Sequence, residues 1–282
     1  METMSPVVAR LRHGNERAYG VILAGCGGLI WILLAIAVVA QLALKPVAGI
    51  LLLFELAIVV LVVLAGAAWF RAHAFGNMVL LGEQQFPDLH RMVTDGAATL
   101  GLTPAPAAFL YNGNGLMNAF ARRLLGGRYV FLTSALVEAQ TDAQVQFVIG
   151  HELGHHAAGH LDPFRTLLKL PGHAVPFPGP AYSRSRAFTC DRVGAYLSGD
   201  AEAARAALQM LGCGCRRLNA AMNTEAFIAR EALVPPVFGF LTEIFRSHPR
   251  LTRRVRAIRY GVTAAGVNRN PASALAPGEM PA

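Results

Sequence analysis

Charged side chains are scarce in this chain: they make up 15% of its 282 residues, against 54% hydrophobic ones. Globular proteins carry about a quarter charged residues, so the deficit excludes an ordinary water-facing surface over the whole length and places part of the chain in lipid. Cysteine is rare too, with Cys26, Cys190, Cys213 and Cys215 as the full set. Cys26 falls inside an apolar run, and Cys213 and Cys215 are too close in sequence for an easy mutual disulfide. A disulfide-stapled secreted scaffold is therefore excluded and reduced thiols are expected. No second pair accompanies Cys213-Gly214-Cys215, which favours small packed side chains there over a metal knuckle. Acidic residues number 17 against 25 basic ones, a net charge of +8. With no nucleic-acid recognition pattern to absorb it, that surplus is assigned to anionic lipid headgroups and no nucleic acid is expected as a partner.

Apolar residues are concentrated in two runs, 21–44 and 47–70, each longer than the roughly 20 residues that span a bilayer. Lys45-Pro46 between them breaks a helix, so the runs predict a two-helix transmembrane hairpin. A signal peptide is disfavoured by the length of the first run and by the immediate second one. Arg10, Arg12 and Arg17 precede the hairpin and Arg71 follows it, while its tip has only Lys45. By the positive-inside rule both ends face the cytoplasm, which for a bacterial chain is the inner side of the cell membrane.

Beyond Phe70 the composition becomes globular. Asp88–Leu102 reads as an amphipathic helix, and Ala107–Tyr111, Met117–Ala121 and Tyr129–Thr133 read as strands, with Asn112-Gly113-Asn114-Gly115 and Gly126-Gly127 as turns. A helix is predicted from Asp142 to His160, with Ser134 or Thr141-Asp142 as caps. The stretch 161–182, rich in Pro and Gly, reads as a loop or a loop with a short helix. Ser183–Ser198, Glu202–Leu211 and Arg217–Ala232 read as helices, Pro235-Pro236 as a break, and Leu251–Tyr260 as a last basic helix. The expected organisation is a cytoplasmic segment 1–20, a hairpin 21–70, a globular domain 71–260 and a disordered tail 261–282. The fold class is α+β, mainly α, with a small β-sheet.

His151-Glu152-Leu153-Gly154-His155 carries the chemistry. Residues four apart stand one above the other on a helix, so His151 and His155 can ligate one metal while Glu152 beside them exchanges protons with a metal-activated water. Two histidines leave a catalytic zinc under-coordinated. The longer metzincin motif is excluded because Ala158 and Leu161 occupy its Gly and His positions. His156 and His160 are read as lying outside the set of ligands, on the helix surface or behind the ligands. A carboxylate from a later helix is expected to complete the site.

Several segments in order resemble one family: Phe86-Pro87-Asp88-Leu89, Asn118-Ala119-Phe120-Ala121, Val130-Phe131-Leu132-Thr133-Ser134-Ala135-Leu136, the motif helix with Gly159-His160, Ser183-Arg184, Cys190-Asp191-Arg192, His248-Pro249 and Arg253-Arg254. These are similar to the HtpX and CAAX-prenyl-protease group of membrane-bound zinc metallopeptidases, with a zincin-like (gluzincin-like) domain. The resemblance covers most of 85–259. It implies one Zn²⁺ per chain, a cytosol-facing site and proteolysis of membrane-associated or misfolded polypeptides. The two-span architecture separates the chain from the CAAX-type relatives, which have more membrane helices.

In that family the third ligand is a glutamate in a segment resembling Glu-Phe-x-Ala-Asp, and here the segment reads Ala187-Phe188-Thr189-Cys190-Asp191. A methyl group cannot coordinate zinc, and no glutamate occurs between Leu153 and Ala201. The expectation is weakened zinc affinity and an inactive chain, with Ala187 either an engineered substitution, which the retained Glu152 favours, or the mark of a natural pseudoenzyme. Asp191 is expected to hold a ligand histidine's ring. Cys190, about 60° round the helix from position 187, ranks below a site completed by water.

The resemblance further implies that Asn118, Ala119, Phe120 and Ala121 form an edge to which a polypeptide substrate adds as an extra strand, and that His248 stabilises the oxyanion. Arg184, Arg186 and Arg192 are expected to neutralise carboxylates. Arg250, Arg253, Arg254, Arg256 and Arg259 are expected to meet headgroups or solvent. Beside the peptidase stands an alternative reading, a non-catalytic membrane adaptor on the same fold.

Overall fold

A computed structural model describes residues 5–264, with side chains to residue 258. The chain opens with α1 (Pro6–Leu11) and α2 (Glu16–Leu44), turns at Lys45 and returns along α3 (Pro46–Asn77). Both long helices are long and apolar enough to cross a membrane, and they leave side chains such as Val47, 75% exposed, and Leu61, 65% exposed, uncovered by protein. Each is longer than its apolar run at the end that joins the globular part. α2 starts at Glu16 because that side chain is buried among polar partners from the domain, and α3 runs on because Phe70, Ala74 and Phe75 pack on the sheet.

The sheet is built from β1 (Val79–Leu80), β2 (Ala107–Tyr111), β3 (Ala119–Leu124) and β4 (Gly127–Thr133), in the order β1-β2-β4-β3, with β2 and β4 parallel and the other neighbours antiparallel. α4 (Pro87–Thr99) lies between β1 and β2 in sequence. Side chains alternate across the pleat: Ala108, Val130 and Leu132 join Val93, Ile149 and Leu153 in the main core, while Phe109, Tyr129 and Phe131 face Ala74 at the end of α3. The second predicted strand is displaced toward the C-terminus. Its hairpin turns at Leu125-Gly126, both at positive φ, so Gly127 pairs with Leu124 and the ladder extends to Arg122 and Arg123.

After α5 (Ser134–Ala139) comes α6 (Asp142–Ala157). Thr133 caps the first, and Thr141 caps the second through a reciprocal pair with Gln144. α6 ends three residues before the predicted His160, because Gly159 adopts a positive φ and the His160 N–H closes on the His155 carbonyl. The Pro- and Gly-rich stretch forms α7 (Pro163–Lys169) and a 3-10 turn (Pro171–Ala174) lying against α2, where the Trp31 indole donates to the Leu167 carbonyl at 2.8 Å. α8 (Pro178–Ser198) begins earlier than the predicted Ser183, since prolines in a first helical turn remove only amides that have no partner anyway.

α9 (Ala201–Cys213) follows. The single helix predicted over 217–232 is instead α10 (Arg216–Ala220), α11 (Thr224–Ala229) and a 3-10 turn, because the Asn223 side chain accepts from the Ala226 N–H and starts a new helix. Pro236 opens α12 (Pro236–Ile244), where the sequence reading placed only a break, and α13 (Leu251–Ala264) continues past Gly261. The predicted disordered tail otherwise lies outside the described residues. α6 and α8 form the centre of the domain, packed nearly backbone to backbone at Gly150, Gly154 and Gly194.

Candidate metal centre

α6 projects His151 and His155 from one face, one turn apart, and α8 brings Cys190 against them. One donor atom from each of the three lies within 4.8 Å of the others. Helix geometry ranks Cys190 below a site completed by water, yet the packing of α8 on α6 sets its sulfur beside both rings. An angle measured on α8 alone ignores how close α8 comes: a Cβ on Gly154 would sit 3.3 Å from the Cys190 Cα and 3.4 Å from its Sγ. At that separation a short side chain reaches the imidazoles. Ala187, one turn earlier on α8, is buried and offers no donor. Two imidazoles and a thiol are a donor set that suits Zn²⁺, at bond lengths of about 2.0–2.3 Å, so the residues present fit the metal that the motif calls for.

Both histidine rings are pinned from behind. Asp191 accepts from the His151 Nδ1–H at 2.9 Å and is itself gripped by the Arg254 guanidinium through contacts of 2.7 and 2.9 Å. Burial alone would raise the Asp191 carboxyl pKa, but the charge and hydrogen bonds of Arg254 together with those of His151 outweigh it and keep the carboxyl far below the usual range. On the other side the Glu16 carboxylate lies 3.1 Å from His160 Nε2, and His160 Nδ1 lies 3.2 Å from His155 Nδ1. A carboxylate can only accept, so His160 donates from Nε2 and accepts at Nδ1. His155 must then carry its proton on Nδ1. In both ligand rings the proton is therefore on Nδ1 and the lone pair is left on Nε2 for a metal. Burial lowers the His155 pKa well below its ordinary value and holds His160 to about 4, despite Glu16, so these rings are neutral at neutral pH.

His156 and His160 are buried and not on a helix surface; His156 Nε2 pairs with the Tyr129 carbonyl at 3.0 Å. Arg254 is likewise buried, and Arg250 and Arg253 pair with Glu231 and Glu243, so most of the described part of the basic run is engaged with protein and not with headgroups. The Arg259 side chain lies outside the described residues. Arg184, Arg186 and Arg192 donate to backbone carbonyls, Arg184 to residues 243, 244 and 246, Arg186 to His160, and Arg192 to Leu11 and Arg12, while Glu243 and Asp191 act on Arg184 and Arg192 through charge.

Glu152 is buried beside His151. Burial raises its carboxyl pKa, opposed by His151, a backbone hydrogen bond from Ala121 and the Arg254 charge. A carboxylate raised in this way is a better proton acceptor than an exposed one. It lines a cavity of about 150 Å³ together with His151, Asn118, Ala119, His248 and Arg254, with Leu208 and Leu211 of α9 in its wall. β3 is an edge of the sheet, paired only with β4 among the described residues, and Ala121 at its midpoint bonds to Glu152. Phe120 turns away and stacks on Phe131 at 4.8 Å.

Sequence reasoning misses Glu16 and Arg254 at the site, while it offers His160 a place behind the ligands and ranks Cys190 below water. A buried-looking glutamate next to an apolar run was the available signal for the first. The others depend on contacts 30 to 144 residues away in sequence.

Residues 83–172 and 164–262 match the profile of Peptidase family M48. A protein named plastoglobule-localized metallopeptidase 48, chloroplastic, from Arabidopsis thaliana is 28% identical over 167 residues, covering 54% of this chain and 48% of that protein. Proteins named protease HtpX homolog from Pyrobaculum aerophilum and Pyrobaculum calidifontis are 30% and 32% identical over 156 and 158 residues, each match covering 55% of this chain and 44% of the relative. The chain spans about half the length of the curated relatives it matches.

Proposed function

The chain belongs to peptidase family M48, and from that premise we propose that it is an integral-membrane zinc endopeptidase acting on membrane-associated or misfolded polypeptides. The observation that carries this reading is the cluster of donor atoms from His151, His155 and Cys190 with Glu152 beside it, of which His151 and Glu152 line a cavity that also reaches Asn118 and Ala119 at the sheet edge. A polypeptide in extended form adds to β3 through main-chain hydrogen bonds, along Asn118 to Ala121, which makes recognition tolerant of sequence. The leucines of α9 give the cavity an apolar wall against which substrate side chains pack. Zinc, when bound by the histidines, supplies Lewis acidity toward a water molecule and the scissile carbonyl. Glu152 takes the proton of that water on its carboxylate and passes it to the leaving amine. Neutral His248, at the mouth, offers an N–H to the developing oxyanion.

In this reading the apolar helices α2 and α3 insert as a hairpin, and the arginines flanking it support a domain on the cytoplasmic face of a bacterial inner membrane. Ala187 favours a second reading, in which the same edge holds a partner strand without cleaving it. Full-length protein in detergent decides between them by zinc content and by release of peptides from an unfolded protein such as reduced casein. Cleavage that is lost in Glu152→Gln while zinc is retained supports the peptidase. Zinc-loaded protein that captures casein without cleaving it supports the binding module.

A further inference from the structure

We propose that Cys190 is the third protein ligand of the metal, so that this chain holds zinc through two imidazoles and a thiolate in place of two imidazoles and a carboxylate. The proposal rests on the metallopeptidase reading and adds to it the identity of the missing donor.

The first support is geometric. Cys190 is fully buried, and its sulfur shares a cluster no wider than 4.8 Å with donor nitrogens of His151 and His155. It reaches them because the α8 backbone at Cys190 lies directly on Gly154, one residue from His155. A side chain of glutamate length is not needed at that position.

The second support is that the thiol lacks a partner. The one contact of its sulfur among the described residues is His160 Nδ1 at 3.7 Å. That nitrogen's lone pair is already used by the His155 Nδ1–H, as the hydrogen-bond chain from Glu16 requires. The sulfur is thus left buried with no free acceptor for its proton, within 4.8 Å of one donor nitrogen of each ring. On metal binding the S–H bond breaks, the sulfur pair forms the bond to the metal and the proton leaves to solvent.

The third support is in the sequence. Against the pattern Glu-Phe-x-Ala-Asp, the segment Ala187-Phe188-Thr189-Cys190-Asp191 departs at two places, not one: a donor is lost at 187 and a donor is gained at 190. A single inactivating substitution does not produce that exchange. A ligand moved by three residues along one helix does.

The test uses full-length protein in detergent, stripped of metal and titrated with Co²⁺. Wild type is expected to show a sulfur-to-cobalt charge-transfer absorption. In Cys190→Ala this absorption is absent and binding is weakened about tenfold or more. The double variant Ala187→Glu with Cys190→Ala is expected to regain cobalt binding without the charge-transfer band. If Cys190→Ala does not fold, as judged by its melting, Cys190→Ser keeps the volume and also lacks the band. Cobalt bound equally by wild type and Cys190→Ala, with no such band in either, overturns the proposal and leaves the metallopeptidase reading intact. If wild type binds cobalt no better than His151→Ala does, the metal-site reading itself fails, and the proposal with it.

Discussion

Replacing Gly194 by alanine tests the contact on which the whole centre depends. A Cβ at this position would lie 2.5 Å from the Phe147 carbonyl oxygen and 2.9 and 3.1 Å from carbons of the Phe147 ring. Ordinary contact needs about 1 Å more. The carbonyl belongs to the backbone of α6 and cannot swing aside like a side chain, so α6 and α8 must separate or bend. Overpacking of this kind costs about 1–3 kcal/mol. At roughly 2–4 °C per kcal/mol for a domain of this size, the melting temperature of the metal-free protein falls by about 2–12 °C. The same displacement draws Cys190 and Asp191 away from the imidazoles of α6, so metal affinity falls as well. Gly212→Ala is the control: its Cβ meets only Leu251 Cδ1, at an ordinary 3.5 Å, and the better helix former at an exposed position of α9 stabilises by up to about 1 kcal/mol. Thermal unfolding in detergent and competition with a chromophoric zinc chelator read both effects. Gly194→Ala protein that melts at or above wild type with unchanged metal affinity refutes the idea that backbone packing of these two helices sets the site.

Asp191→Asn leaves the buried Arg254 guanidinium without its anion and His151 Nδ1 without a charged acceptor. The expected cost is about 3–5 kcal/mol in urea unfolding and a loss of about 10–100-fold in zinc affinity. Acid should destabilise the metal-free protein through His156 and His160, which burial holds to about 4 against an ordinary value of 6.5. Between those two values the unfolded chain takes up protons that the fold refuses. Stability is therefore full above about pH 6.5 and falls on acidification, by about 1.4 kcal/mol per histidine for each pH unit. Melting series from pH 7 to pH 4.5 show the slope, and His156→Gln removes one histidine's share of it. Glu16→Gln cancels the charge that fixes the His160 tautomer; about tenfold weaker zinc binding is expected with cleavage per bound zinc little changed, measured by zinc competition alongside casein turnover.

The elements that local pattern determines were readable from sequence. β2 lies where its alternation and flanking turns put it, the two apolar helices follow from their length, and His151 and His155 share a face because four residues make about one turn of helix. Elements that begin with proline were less readable: α12 starts on Pro236, where a Pro-Pro pair reads as an interruption, and α8 starts five residues before its prediction. What local pattern could not supply is how two helices meet. Cys190 was judged by its angle around α8, whereas its place depends on the absence of side chains at Gly150, Gly154 and Gly194. The partnership of Arg254 with Asp191 spans 63 residues, and that of Glu16 with His160 spans 144, so neither leaves a periodic trace.

That last pair links the first apolar helix to the metal centre with single-residue accuracy. Each residue along α2 turns the helix by about 100° and advances it by about 1.5 Å. One residue inserted in α2 directly after Glu16, or removed there, would therefore turn the carboxylate away from His160 and Thr189 relative to the rest of the helix. The stretch of α2 between Glu16 and the apolar run thus has a fixed length in the same sense that a motif does. Swapping α2 for another apolar helix should be tolerated only where the exchange begins after Glu16 and preserves its phase.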